Sequence, residues 1–202
     1  MSMIPDKPPF KLLDILYKKE FILFVVLITI LIINSNLTPY FLDLYNLIDS
    51  TFLFSEKAII ALTMTFVIIA RQIDLSVASI IAVSSVVLGY TTSLGYDTWL
   101  VISLTLLSGA LCGAFNGAII TKFAIPSIIV TIGTMSLFRG LAYSFLEDSY
   151  YNKFPKIVSN LGSGYLFGYI PYAFLTFILL ALVFAFILHK TTVGKKIFSI
   201  GN

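Results

Sequence analysis

The stretch "VIIARQIDLSVASIIAV", residues 67–83, places an arginine, a glutamine and an aspartate inside an otherwise apolar run. Charged side chains are rare inside membrane segments and are kept there mostly where they face protein or water. If residues 58–94 formed one helix, its 37 residues would be roughly 55 Å long, too long for a single span of a ~30 Å hydrocarbon core. The stretch therefore predicts two spans that meet at a break near Arg71 and Asp74.

Composition places the whole chain in the same class. Of its 202 residues, 58% are hydrophobic and only 11% are charged, whereas soluble domains carry about 25% charged residues. We therefore predict an all-α, polytopic transmembrane helix bundle. The net charge of +3 is scattered, and no basic stripe indicates nucleic-acid binding. The single cysteine, Cys112, and the single histidine, His189, give no metal cluster and no catalytic constellation.

The apolar pattern predicts six spans, at about 19–37, 55–70, 75–92, 98–121, 126–146 and 171–189. Pro126 and Pro171 each open a helix, where the missing N–H of proline is tolerated. The predicted division is a cytoplasmic segment at 1–18, a transmembrane domain at 19–189 and a cytoplasmic tail at 190–202. The longer segment at about 147–170 is expected to be a re-entrant or surface structure on the outside.

Charge bias predicts that both termini are cytoplasmic, because loops on that side carry the excess of Lys and Arg. Before Arg71 is counted, this arrangement puts eight basic residues inside and four outside, whereas merging the second and third spans gives seven against five. The inside residues are Lys7, Lys11, Lys18, Lys19, Lys122, Lys190, Lys195 and Lys196, and the outside residues are Lys57, Arg139, Lys153 and Lys156.

Two interpretations of the break stay open, and they are compatible. Asp74 is a favoured residue type for capping the next helix, in which case Arg71 and Gln72 form an ordinary cytoplasmic turn. Alternatively, the break is a membrane-buried bend that lines a translocation path, since irregular backbone at depth must be buried in protein or face water. A helical backbone at the break would also allow Asp74 to pair with Arg71.

Other polar residues in apolar helices are candidates for the same path. They are Ser76, Ser79, Asn116, Thr131, Thr134 and Arg139. The amide of Asn116 either makes a structural hydrogen bond between helices or lines the pore. Arg139 lies roughly 20 Å along the helix from Pro126. It either snorkels to the outer surface or places a cation at an outer mouth that faces a hydroxyl-rich solute or a docking protein.

Small residues repeat along the fourth predicted helix, in "GALCGAFNG" at 109–117. Gly109, Gly113 and Gly117 lie four residues apart and therefore share one face. Small residues let helix backbones approach closely in lipid. We expect this ridge to pack against another helix in the protein interior.

Three stretches resemble a known family. "IDLSVASIIAVSS", "GALCGAFNGAIITKFAIPSIIVTIGTMSLFRGLAY" and "HKTTVGKKIFSIGN" are similar to the permease subunits of bacterial ABC sugar importers of the ribose, xylose, autoinducer-2 and rhamnose group. The resemblance covers about residues 39–202. The stretches "FLDLYNLIDSTFLFSEKAIIAL" and "PSIIVTIGTMSLFRG" look closest to the rhamnose permease.

The resemblance implies an inner-membrane permease subunit, not an enzyme, with three kinds of partner. These are ATP-binding subunits, a second permease subunit and an extracytoplasmic sugar-binding protein. The chain contains no G-x-x-x-x-G-K-[ST] pattern, so ATP is expected on the partner subunits and no cofactor on this chain.

The chain departs from the family at two places. Members usually carry a glycine and a small or acidic residue before "IDLS", where Arg71 and Gln72 stand here, and glycine frees the backbone whereas arginine does not. The family also continues beyond "IGN" into an ATPase-docking loop and further helices, whereas this sequence stops at Asn202. The expectation from that end is a partial permease that cannot couple hydrolysis to transport alone. The alternative function is a truncated, non-transporting membrane scaffold.

Overall fold

The structure, a computed structural model, describes residues 19–147 and 149–201. Their helices are α1 (Lys19–Leu37), α2 (Leu44–Ile69), α3 (Val77–Ser93), α4 (Thr98–Phe123), α5 (Ser127–Leu146), α6 (Lys156–Ser163), α7 (Tyr172–Lys190) and α8 (Thr192–Gly201). Two short strands, β1 (Tyr165–Leu166) and β2 (Ile170–Pro171), pair antiparallel. The predicted cytoplasmic segment at 1–18 lies outside the described residues, as do Asp148 and Asn202.

Helical membrane architecture is confirmed. Among the described residues, α1, α2, α4, α5 and α7 are each long and apolar enough to cross a membrane, whereas α3 is apolar but has only 17 residues. At 1.5 Å per residue α3 is about 26 Å long, slightly short of a ~30 Å core. To cross such a core, α3 would need the extended residues that precede it, so its role as a sixth span stays a prediction.

Most predicted boundaries agree with the structure to within about two residues, but α2 begins at Leu44 and not near residue 55. The polar residues Asp49, Glu56 and Lys57 interrupt the apolar run, so hydropathy alone places the start too late. The helix starts where a carboxylate can cap it, because Asp43 accepts a hydrogen bond from the Tyr45 N–H at 3.1 Å. Capping chemistry, and not hydropathy, sets this boundary.

Burial in this chain is inverted relative to a water-soluble protein. The side chains buried below the surface include eight hydroxyl or amide residues: Ser55, Ser76, Ser79, Thr91, Asn116, Ser127, Thr131 and Thr134. Large apolar side chains on every long helix are instead exposed, for example Leu23 at 68% and Leu106 at 69%. Soluble monomers rarely expose contiguous apolar surface on this scale. The surface is therefore suited to lipid, and polar contacts hold the interior.

The chain divides into two compact units, residues 1–50 and 51–202. In the first, α1 forms one apolar helix with no buried side chain among its described residues. In the second, α3 packs against both α4 and α5, and α7 packs against α6 and α8. Aromatic pairs join α2 to α7, with Phe54 edge-on to Phe174 and Phe66 edge-on to Phe184 at 5.1 Å between ring centroids.

The segment between α5 and α7 folds as a short helix followed by a hairpin. Pro155 precedes the first residue of α6, where its fixed φ suits a helix start. The hairpin turn places Phe167 and Gly168 at φ 53° and 78°, and the Tyr169 N–H donates to the Leu166 carbonyl at 3.2 Å. Two consecutive positive φ values match the twist of paired strands. The sequence predicted a surface or re-entrant structure here without this detail.

Candidate functional site

Residues 70–76, hereafter the bend segment, leave α2 by a complete helix-ending motif. The Gln72 N–H donates to the Val67 carbonyl at 3.0 Å, and the Arg71 N–H donates to the Ile68 carbonyl at 2.9 Å. This is the Schellman pattern, whose left-handed position is usually glycine. Arg71 occupies that position with φ 55°. The bend therefore forms although arginine replaces the residue that would adopt it without strain.

Hydroxyl groups of α5 hold the bend segment after this turn. The Ile73 N–H donates to Ser127 Oγ at 3.0 Å, and Thr131 Oγ1 donates to the Ile73 carbonyl at 3.3 Å. Backbone groups in a membrane interior need such partners because little water is available to them. Ser127 and Thr131 are one turn apart on α5, so one helix face satisfies both backbone groups of the same residue.

The start of α3 is organised by Asp74. One carboxylate oxygen of Asp74 accepts from the Ser76 N–H at 2.8 Å and from Ser76 Oγ at 2.7 Å. The N-cap position itself is Ser76, whose side chain makes no capping bond to the backbone. Asp74 thus caps the helix start from two residues upstream. In the described structure it makes no ion pair with Arg71, because the backbone between them is not helical.

Asn116 connects α4 to this network. Its Nδ2 donates to Ser76 Oγ at 2.8 Å, so Asn116, Ser76 and Asp74 form one chain of hydrogen bonds. Asn116 is 4% exposed and Ser76 is 0% exposed. The Oδ1 of Asn116 is buried and accepts no hydrogen bond from the described residues. A buried acceptor without a donor lowers stability by about 1–3 kcal/mol.

The network lies away from the end of α4. Asn116 is seven residues before Phe123, the last residue of α4, a distance of roughly 10 Å along the axis. The bend segment therefore runs alongside α4 and α5 before α3 begins. This geometry fits the capping interpretation of Asp74. Burial of the bend in the membrane along a translocation path stays a prediction.

An open cavity of about 540 Å³ lies beside this network, between α2 and the start of α3. Glu56, Ile60 and Met64 line it from one face of α2, and Asp74 and Leu75 line it from the bend segment. We call it the acidic cavity, because it brings two carboxylates to an otherwise apolar wall. Glu56 was not among the residues predicted for the site, although a charge inside an apolar helix was the signal for it.

A second cavity of about 540 Å³ lies between α3, α5 and the residues that follow α5. Arg139 lines it together with Tyr143, Tyr150, Tyr151 and Phe154, and we call it the tyrosine cavity. Its size falls in the range of small-molecule pockets, about 300–1,000 Å³. No carboxylate occurs among the described residues that line it, and the Arg139 side chain is exposed.

Close packing fixes the wall of the tyrosine cavity. A β-carbon added at Gly89 of α3 would lie 2.5–2.7 Å from atoms of Tyr151. Real β-carbons do not approach so closely, so glycine is required for the Tyr151 side chain to rest on α3. The sequence analysis missed these tyrosines, because no pattern in residues 143–154 indicates that they face Arg139.

The seven predicted path residues fall into two groups. Asp74 and Arg139 line the acidic cavity and the tyrosine cavity. The others are buried among α3, α4 and α5, where they bond to the bend segment or to their own helix: Ser76, Ser79, Asn116, Thr131 and Thr134. Ser76, Asn116 and Thr131 of the buried group make hydrogen bonds within or to the bend segment. A role of the seven residues in a translocation path stays a prediction.

The glycine ridge is only partly in contact with a neighbour. A β-carbon at Gly109 would lie 3.2 Å from Ser84 Oγ of α3, so α3 and α4 approach closely there. At Gly113 and Gly117 the same test finds nothing within 4 Å in the described structure. Packing against another helix at these two residues stays a prediction.

Comparison with known proteins identifies the group to which these features belong. A family model described as "Branched-chain amino acid transport system / permease component" matches residues 46–202. The ribose import permease protein RbsC of Haemophilus influenzae is 32% identical over 186 residues, which are 89% of this chain and 56% of that protein. The autoinducer 2 import system permease protein LsrD of Klebsiella pneumoniae is 33% identical over 189 residues, covering 91% of this chain and 57% of that protein.

A third relative is the autoinducer 2 import system permease protein LsrC of Escherichia coli, which is 34% identical over 144 residues, or 71% of this chain and 42% of that protein. The chain thus spans about half the length of the curated relatives it matches. No solved structure shows a significant match to it.

Proposed function

Since the chain belongs to the family of branched-chain amino acid transport system permease components, we propose that it is a permease subunit of an ATP-driven sugar importer and forms part of the translocation path. The chain is a multi-pass protein of the inner membrane, with several helices apolar enough to cross it. The named relatives import ribose and autoinducer 2. A polyhydroxylated solute is therefore the substrate class we assign.

The tyrosine cavity is the observation that carries this proposal. Sugars present hydroxyl groups at their edges and C–H groups on their faces, and Arg139 with three tyrosines offers donors and aromatic surfaces in one place. We place the outer part of the path here. Asp74 marks its inner part, where a carboxylate can accept hydrogen bonds from hydroxyl groups as the solute passes the bend segment.

Rhamnose is the solute that we propose within this class. The support is the similarity of the stretches around α2 and α5 to the rhamnose permease, since those helices supply both cavities. Ribose and autoinducer 2 are the competing solutes, because the relatives named for them share the same framework.

The proposed arrangement has six spans, α1 to α5 and α7, with both termini in the cytoplasm. It places Arg139 towards the outside and the bend segment towards the inside, in agreement with the charge bias of the loops. The proposed partners are ATP-binding subunits on the cytoplasmic side, a second permease subunit in the membrane and a sugar-binding protein outside. The transmembrane domain of this chain is the part at 19–189.

Cysteine accessibility tests the path. Asp74→Cys and Arg139→Cys are made in a Cys112→Ala background, with Leu106→Cys on the lipid-facing surface of α4 as the matched control. A polar thiol reagent should label position 139 from outside and position 74 from inside, but should leave position 106 unlabelled. If the chain is a scaffold without a path, positions 74 and 139 should be as unreactive as the control. Labelling of position 139 from inside and of position 74 from outside would contradict the proposed orientation.

Solute uptake tests the sugar. The chain is expressed with the remaining importer subunits, and uptake of labelled rhamnose is measured against ribose and autoinducer 2 as competitors. Arg139→Gln should weaken apparent affinity by about tenfold or more, since a hydrogen bond to a charged group contributes roughly 1.5–3 kcal/mol. Tyr96→Ala, an exposed tyrosine outside the cavity, is the control and should have no effect. If unlabelled ribose reduces the uptake of labelled rhamnose as strongly as unlabelled rhamnose does, the assignment to rhamnose is wrong.

A further inference from the structure

A narrow crevice separates the last turns of α2 and α7. Its walls are apolar, and its lining residues include Phe66 and Ile69 of α2 and Ala185 and Leu188 of α7. Phe198 of α8 lies across its end. The crevice opens on the surface that faces lipid, where large apolar side chains are exposed throughout the described part of the molecule.

α8 links the ends of the two helices that form this crevice. A β-carbon at Gly194 would overlap the Leu188 carbonyl of α7, and one at Gly201 would overlap the Ile69 carbonyl of α2. The two glycines lie about two turns apart on α8, so one face of the short helix rests on both ends. α8 therefore lies against the ends of both helices, and its lysines are on the short helix whose Phe198 lines the crevice.

Positive charge is concentrated at that opening without compensation. Arg71 follows α2, Lys190 ends α7, and Lys195 and Lys196 lie on α8, and all four side chains are exposed. No acidic residue occurs in the described part of the chain from 149 to 201. Asp74, the acid nearest to Arg71 in sequence, has its carboxylate engaged by Ser76. This end of the crevice therefore favours an anionic partner over a neutral or cationic one.

The size of the crevice indicates what kind of group enters it. Its volume is about 320 Å³. A helix at least about 10 Å across would fill this volume within roughly 4 Å of its length, less than one turn. The crevice therefore does not enclose a whole helix, whereas a single hydrocarbon chain needs no backbone hydrogen bonds and suits an apolar groove of this volume.

We propose that this crevice binds an anionic phospholipid of the surrounding membrane. One acyl chain lies between α2 and α7 against Phe66 and Ala185, and the headgroup lies at Lys190, Lys195 and Lys196. Basic pockets between transmembrane helices bind anionic headgroups in this manner. The bound lipid fills the gap between α2 and α7 and neutralises the end of the bundle where α8 docks.

Fluorescence quenching tests the site in vesicles that contain the full chain. Phe198→Trp in a Trp99→Phe background places the single tryptophan at the crevice. The vesicles are phosphatidylcholine with a minor fraction of either phosphatidylglycerol or phosphatidylcholine brominated on the acyl chain. Brominated phosphatidylglycerol should quench the tryptophan at about fivefold lower mole fraction than brominated phosphatidylcholine, the factor that corresponds to about 1 kcal/mol for one lysine near the surface.

The charge and the groove are then removed separately. Lys195→Gln with Lys196→Gln should abolish the preference for phosphatidylglycerol, whereas Lys153→Gln with Lys156→Gln, two lysines remote in sequence from the crevice, should leave it unchanged. Ala185→Phe narrows the groove and should reduce quenching by both brominated lipids. The helical circular dichroism signal shows whether each variant is folded. If the Lys195→Gln, Lys196→Gln variant is not folded, Lys190→Gln is used in its place to remove charge.

Three outcomes overturn the proposal. Equal quenching by the two lipids in the unaltered reporter shows that the site does not select anionic headgroups. An equal effect of the control lysines shows that the preference arises from general surface charge. The absence of quenching by either lipid shows that protein, such as a second copy of the chain, covers the crevice.

Discussion

Replacement of Ser127 by alanine tests whether α5 holds the bend segment in place. The serine hydroxyl accepts the Ile73 N–H at 3.0 Å, and Ser127 is 8% exposed. Ser127→Ala leaves that N–H without its partner while changing little else in the packing of α5. The variant should therefore be destabilised, and the bend segment should open more often than in the native chain.

The expected loss in the free energy of unfolding lies between two limits. A buried backbone group left without a partner lowers the free energy of unfolding by about 1–3 kcal/mol. Hydrogen bonds between membrane helices contribute less when measured directly, about 0.6 kcal/mol on average and about 1.7 at most. Because the Ile73 side chain is half exposed and water from the acidic cavity can reach the segment, we expect a loss of about 1–2 kcal/mol.

The free energy of unfolding is measured by titrating the chain with a denaturing detergent in mixed micelles. Ser136→Ala, an exposed serine on the same helix, is the matched control and should change stability by less than about 0.5 kcal/mol. Thr131→Val removes the second bond to Ile73, and the double variant should lose less than the sum of the two single losses, since both hydroxyls hold one residue.

A loss for Ser127→Ala no larger than that for Ser136→Ala would refute this reasoning. Strict additivity of the Ser127 and Thr131 effects would also contradict it, because it would show that the two hydroxyls do not act on a common element. As an independent measurement, Asp74→Cys should react faster with a polar thiol reagent when combined with Ser127→Ala.

Three further substitutions have distinct expected results. Arg71→Gly should stabilise the chain by about 0.5–1 kcal/mol, because the left-handed conformation costs an L-residue roughly 1–2 kcal/mol and the greater freedom of unfolded glycine offsets part of the gain. Gly89→Ala should displace Tyr151 and raise the rate of tryptic cleavage after Lys153 by about fivefold or more, as overpacking costs about 1–3 kcal/mol. Asn116→Asp should destabilise by about 3 kcal/mol or more in detergent titration, whereas Asn116→Leu should lose about 1 kcal/mol or less, because only the aspartate adds a buried charge.

Each of these three predictions has a control variant or an outcome that would contradict it. Gln72→Gly removes a side chain beside Arg71 at a position without positive φ, and equal stabilisation by both changes would exclude the conformational explanation. Gly113→Ala adds the same methyl group where nothing lies within 4 Å, so faster cleavage in that variant would show a general effect. If the Asn116→Asp variant is as stable as the Asn116→Leu variant, water reaches the network freely.

Capping and bend chemistry were only partly readable from the sequence. The sequence indicated that Asp74 precedes a helix, but it did not indicate that Ser76 would occupy the N-cap position. It identified Arg71 as the departure from glycine, but it could not show that the Schellman bonds still form. Backbone conformation at a helix end depends on hydrogen bonds to the preceding turn and to neighbouring helices, and residue preferences bias it only by about 1–2 kcal/mol.

By itself, the sequence determined the membrane class and the positions of the long helices, apart from the start of α2. Those features depend on the length and apolarity of continuous segments, which are local properties of the chain. Tertiary structure alone decided that Asn116, Ser76 and Asp74 share one hydrogen-bonded chain, and that Arg139 faces tyrosines from beyond α5. Those contacts join residues far apart in sequence, such as Asn116 and Ser76, which are 40 positions apart. Only the packing of α3 against α4 and α5 brings them within reach, because a hydrogen bond forms only at about 3 Å.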